Sequence, residues 1–144
     1  NVSPKEIFAT FGDSHIIIAN IASPNTVRNI KSNPKVCISF IDVLVQKGYQ
    51  LKGTAELIYK KDERFAELAA PLLEMTQGNY PFASITFVKI EKVKPILAPS
   101  YLLFPERTVE ERVASARERR LAGQIARFEP GVDRVENQLT IAQQ

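Results

Sequence analysis

Hydrophobic and polar residues alternate through much of the first hundred positions. Ile7, Ala9 and Phe11 share one parity, and Gly12-Asp13-Ser14 has the composition of a chain reversal. Val2 to Phe11 and His15 to Asn20 are therefore predicted as paired strands. Pro4 has no N–H to give to a ladder, which assigns it to an edge, a bulge or a strand beginning. Val36, Ile38 and Phe40 alternate with Cys37, Ser39 and Ile41, and a period of two runs from Tyr49 to Tyr59, giving a third and a fourth strand. Gly53 within the fourth predicts a bend or a close backbone approach. Ala83 to Ile96 supplies the fifth, with a bulge expected between Ile90 and Val93, where the apolar parity changes.

Three stretches break this period. Ser23 is a predicted N-cap with Pro24 at the first helical position; the short helix that follows carries Val27 and Ile30 on one face and ends before Asn33-Pro34. Asp62 is expected to cap a helix with the stripe Phe65, Leu68, Ala69, Leu72 and Leu73, kinked or restarted at Pro71. From about Thr108 to Arg127 a third helix has a narrow seam of Val109, Val113, Ala116, Ile125 and Phe128, suited to docking on the body or on a second subunit. Pro130 to Gln144 reads as a polar, partly ordered tail. Five short strands, with helices after the second and the fourth, predict a mainly β, α+β small barrel rather than a doubly wound parallel sheet. The expected division is a barrel domain over 1–104 and an appended C-terminal helix and tail over 105–144.

A chain of 144 residues, 44% hydrophobic and 24% charged, suits one buried core. Its net charge of +3 permits an anionic ligand. From Glu106 onward seven arginines face seven acids, so there is no basic stripe and no nucleic-acid partner is expected. No apolar run approaches the ~18–20 residues of a membrane span, so no membrane partner is expected and the cytoplasm is the default location. The chain opens on Asn1 without Met, which leaves a removed leader open. Cys37 as the single cysteine excludes an internal disulfide and a multi-cysteine metal site, and its place between Val36 and Ile38 predicts a small buried apolar residue. His15 is expected at a surface or an edge. No catalytic triad, metal set or pair of catalytic carboxylates is present in the pattern.

The helix start at Ser23 holds the candidate chemistry. Backbone N–H groups at Asn25 and Thr26, the Thr26 hydroxyl and the positive end of the helix dipole suit a phosphate. Arg28, one turn on, and Lys5, on the neighbouring strand, are placed to add charge-assisted contacts. Alone, Ser23-Pro24-Asn25-Thr26 reads as an ordinary capped helix start, since such caps are common.

Its surroundings extend the pattern. Asn1-Val2-Ser3-Pro4-Lys5-Glu6, Ile18-Ala19-Asn20-Ile21, Ser23 to Ile30, Asn33-Pro34 and Lys47-Gly48 through Gly53-Thr54-Ala55, in this order and spacing, resemble the pyridoxamine 5′-phosphate oxidase-like FMN-binding split-barrel family from Asn1 to about Tyr101. The resemblance implies a homodimer with FMN in clefts at the subunit interface. Lys5 and Thr26, with Asn25, would hold the phosphate. The backbone of Val2, Ser3 and Pro4 and the strand end at Ile18, Ala19 and Asn20 would line the ribityl chain and ring, and Lys47 would reach the ring's polar edge. The family's first strand would precede Asn1. True pyridoxamine 5′-phosphate oxidases carry an Arg-Lys pair where this chain has Asn25-Thr26, and a C-terminal Trp and Arg pattern absent here, which points away from vitamin B6 oxidation. The expected function is an FMN-dependent oxidoreductase using a nicotinamide or other electron donor. The alternatives are a non-catalytic FMN-binding, storage or sensor module, and a site for another phosphate compound.

Overall fold

The computed structural model describes residues 2–128. Five strands, β1 (Phe8–Phe11), β2 (His15–Ala19), β3 (Lys35–Asp42), β4 (Lys47–Tyr59) and β5 (Ser84–Leu97), form one antiparallel sheet in the order β1-β2-β5-β4-β3. Helices α1 (Pro24–Ser32) and α2 (Phe65–Thr76) fall after β2 and β4 as expected, and α3 (Ser100–Leu103) and α4 (Val109–Phe128) follow β5. The described residues form two compact units, 2–39 with Gln50–Lys94, and Phe40–Tyr49 with 95–128.

In the first unit β2 lies between β1 and β5, with Phe11 opposite His15 and Ile17 opposite Phe87. Both of its faces are covered, which is why its sequence is a run of isoleucines rather than an alternation. Ile17 and Ala19 join Ile58, Ile85 and the α2 residues Leu68, Ala69 and Leu72 in one core cluster, whereas Ile18 joins Ala55, Val88 and Ile30 of α1 in another. The two helices thus pack on opposite sides of one strand. Gly53 permits the closeness of β4 and β5: a Cβ there would stand 2.1 Å from the Lys89 carbonyl oxygen.

Several local expectations give way to a better-satisfied alternative. The first strand is shorter than Val2 to Phe11, yet Ser3, Lys5 and Ile7 keep the half-buried parity ahead of it. Asp62 does not cap α2; Arg64 is at that position, and the Asp62 carboxylate accepts from the Arg64 backbone N–H at 3.0 Å and from its guanidinium. Pro71 is accommodated within α2, which is a single helix. Cys37 is exposed, not buried. It occupies the strand at the end of the sheet order, where Val36 and Ile38 take the core face and the intervening positions turn outward. Val93, on the parity opposite to Val88 and Ile90, is 54% exposed. The expected tail beyond Phe128 lies outside the described residues.

The second unit is organised around Tyr101. Its hydroxyl donates to the Val45 carbonyl at 2.6 Å, while Lys47 Nζ and the Arg112 guanidinium carbon lie 4.3 and 4.1 Å from its ring centre. The short helix α3 that carries it had no apolar period to announce it.

Candidate functional site

The chain leaves β2 through a tight corner. Ile21 N–H donates to the Ala19 carbonyl at 3.1 Å, and Ala22 adopts a left-handed backbone, φ 47°, a conformation costing a residue with a Cβ about 1 kcal/mol. The corner delivers Pro24 to the first turn of α1. Ser23 does not cap the helix through its side chain. Its hydroxyl instead donates to the Ile21 carbonyl at 2.7 Å and accepts from Lys5 Nζ. The segment before β1 and the start of α1 are thereby tied together. Burial of Lys5 lowers its pKa from the ordinary lysine value, since the charged form loses hydration there.

Beside this corner lies an open cleft of about 440 Å³ lined by Asn20, Ala22 to Pro24, Val27, Arg28, Lys31, Ala83 and Ser84. Its polar floor is fixed. The Asn20 side chain donates to Ser84 Oγ at 3.1 Å and accepts from Thr86 Oγ1 at 2.9 Å, and its backbone N–H donates to the Ser84 carbonyl. Arg28 and Lys31 are cationic and the lining contains no acid. Such a lining suits an anionic ligand that also has apolar surface.

The sequence-predicted residues are distributed unevenly around this place. Lys5, Asn20 and the α1 start come together. Ile18 and Ala19 are buried within a strand paired on both sides, while Val2 and Pro4 are exposed and Ser3 is half-buried. Asn25 accepts a hydrogen bond from Arg28 at 2.8 Å, and neither Asn25 nor Thr26 lines the cleft, whose α1 side is made by Pro24, Val27, Arg28 and Lys31. Lys47 belongs to the second unit, with its ammonium over Tyr101. Lys31, Ala83 and Ser84 were missed as cleft residues. The i, i+3, i+4, i+7 spacing of Pro24, Val27, Arg28 and Lys31 was the available signal for one shared face.

His15 is half-buried at the start of β2, stacked on Phe87 with ring centres 4.7 Å apart, and Ser14 Oγ lies 3.2 Å from its Nδ1. Among the described residues no group of three or more histidines, cysteines or carboxylates is placed to hold a metal ion. Among them also, no helix is long and apolar enough to cross a membrane.

A family profile described as pyridoxamine 5′-phosphate oxidase matches residues 1–101. The chain belongs to the pyridoxamine 5′-phosphate oxidase family. Its α+β architecture is the split barrel of that family. Solved structures share it. A point variant of HupZ from Group A Streptococcus is 24% identical with a TM-score of 0.56, covering 67% of this chain and 78% of its own. An FMN-binding protein from Syntrophomonas wolfei subsp. wolfei is 22% identical with a TM-score of 0.55, over 68% and 69% of the two chains. A provisionally assigned pyridoxamine 5′-phosphate oxidase from Lactobacillus delbrueckii is 24% identical with a TM-score of 0.52, over 64% and 70%. No curated protein matches the chain. The family match ends at Tyr101, so α4 lies beyond it.

Proposed function

We propose that the chain is an FMN-binding flavoprotein whose phosphate site is the junction of Lys5 with the start of α1. The observation carrying this reading is the contact between Lys5 Nζ and Ser23 Oγ, which brings the Val-Ser-Pro-Lys segment to a helix N-terminus. A partly desolvated ammonium beside a helix N-terminus, with no acid in the adjoining cleft, fits a phosphate dianion. Family membership and the fold shared with an FMN-binding protein support the choice of FMN among phosphate ligands.

In this reading Lys5, Asn25 and Thr26 hold the phosphate, and Val2 to Pro4 and the strand end at Ile18 to Asn20 border the ribityl chain and ring. Asn25 exchanges its contact with Arg28 for one with the phosphate. Bound flavin supplies the redox chemistry, with a nicotinamide or another donor as the source of electrons. The chain positions the cofactor and excludes water. Two copies form a homodimer, for which Phe40, Ile41, Val43 and Leu102, each about half or more exposed, supply apolar surface.

The protein should purify yellow, or become so with added FMN, and release FMN rather than FAD on denaturation. Lys5→Ala combined with Thr26→Val should weaken FMN binding about tenfold or more while changing riboflavin binding little, as loss of charge-assisted contacts requires. Equal losses for the two ligands would remove the phosphate from this place. A colourless protein that does not take up FMN defeats the whole reading. Bleaching of bound flavin on anaerobic mixing with NADH, NADPH or a reduced deazaflavin separates an oxidoreductase from a storage or sensor module.

A further inference from the structure

We propose that the first turns of α4, against Tyr101, form a binding site for a small oxyanion, a phosphate or a carboxylate, held by Arg112 and Ser115. Arg112 and Ser115, which would hold the ion, lie outside the family match, and the site does not depend on flavin binding.

Arg112 is 8% exposed. Its guanidinium stacks on Tyr101, Nε donates to the Arg107 carbonyl at 3.3 Å, and Nη2 donates to the Phe104 carbonyl. These acceptors are neutral. Nη1 has no partner and no contact with solvent, and the same holds for Ser115 Oγ. The two orphans stand three positions apart on α4, the spacing that places side chains on one helix face. Among the described residues Arg112 has no ion pair. A guanidinium taken out of water without a counter-charge is among the costliest arrangements a fold can hold.

Lys47 adds a second charge of the same sign. Its ammonium lies over the same ring that Arg112 covers, and it too has no ion pair among the described residues. Arg107 sits over Phe104, with its guanidinium carbon 4.5 Å from the ring centre. Three cations thus gather on two neighbouring aromatic rings. An oxyanion on Nη1 and Ser115 Oγ would satisfy both orphans and neutralise the inner charge, with Lys47 as the outer one. Because both orphan atoms are closed to solvent, the ion is enclosed as α4 settles on Tyr101 and contributes to the stability of this unit.

Thermal unfolding of the full chain tests the site, with inorganic phosphate or acetate replacing chloride at constant ionic strength. The wild-type midpoint should rise as either anion is increased from about 1 to 100 mM, as ligand linkage requires, and Arg112→Met should abolish the rise. Phosphate acting alone assigns a phosphate ligand; acetate acting as well assigns a general carboxylate or phosphate site. An equal rise in wild type and Arg112→Met overturns the proposal, and so does no rise with either anion. A midpoint that depends on protein concentration and on neither anion overturns it in favour of a carboxylate from a second copy. Should Arg112→Met fail to fold, the Arg112 Nε–H resonance of the labelled wild type decides. A saturable shift on adding phosphate or acetate supports the site, and an unchanged resonance with both rejects it.

Discussion

Lys5 donates to Ser23 Oγ across 18 positions of sequence, and burial holds its pKa below the lysine value of 10.5. A lysine whose pKa is lowered on folding releases its proton more readily folded than unfolded. Between the lowered value and 10.5 the unfolded chain binds more protons, so the ligand-free protein should gain stability as pH rises through that window. Lys5→Met should flatten this part of the profile in urea unfolding at a series of pH values. A bound phosphate dianion reverses the preference, because it favours the ammonium. FMN affinity should accordingly fall over the same rise in pH. Identical slopes for wild type and Lys5→Met would show that Lys5 is not the group responsible.

Gly53 and Lys89 provide a steric prediction. A Cβ at position 53 would meet a backbone carbonyl oxygen, which cannot swing aside as a side chain does. Gly53→Ala should cost about 3 kcal/mol, at the upper end for overpacking, by separating β4 from β5. Gly12→Ala is the contrast: its Cβ meets nothing within 4 Å, so only its positive φ of 58° opposes the change. It should cost about 1 kcal/mol. Denaturant midpoints that rank the two variants in the reverse order would contradict this account of the sheet.

Cys37 should behave as an exposed thiol. In a single folded chain it should react with a disulfide reagent at a rate close to that of the unfolded protein, one equivalent per chain. Reaction that is slow at high protein concentration and fast on dilution would place β3 in the homodimer interface. Slow reaction at every concentration would contradict its position on the outer face of the strand.

The expectation about Cys37 failed for a definite reason. Composition treats cysteine as a small apolar residue, but exposure on a strand is set by parity and by which strand is last in the sheet. Neither is written locally. The strands and both inter-strand helices were legible because their apolar periods are long or are bounded by Gly-Asp-Ser, Ser-Pro and Asn-Pro. Strand order and the family pattern both put Lys5 near the helix start, but its contact with Ser23 was not legible, because no local rule joins side chains so far apart. Asn25 and Thr26 follow from the helix end, which states where N–H groups fall; the side of α1 that opens on the cleft, with Val27 and Lys31, is not stated by it. That side is fixed by Ile30 packing on the sheet. Arg112 could not be singled out among seven C-terminal arginines before the structure buried it against Tyr101.

The start of α4 yields the last prediction. Thr108 and Glu111 form a reciprocal capping box: Thr108 N–H donates to Glu111 Oε2 at 2.9 Å, and Glu111 N–H donates to Thr108 Oγ1 at 3.2 Å. Thr-x-x-Glu ahead of an apolar seam also agrees with the sequence-predicted start at Thr108. Removing one partner leaves a backbone donor at the helix start without its acceptor, so Thr108→Ala should cost about 1 kcal/mol. Glu111→Ala likewise removes one of the two bonds, together with a favourable charge from the first turn, and should cost a similar amount. Because the bonds are reciprocal, the double variant should lose less than the sum of the two single changes. Hydrogen exchange at the Glu111 amide provides the local measure. It should quicken in Thr108→Ala, and full protection there would mean that the box does not hold the helix start.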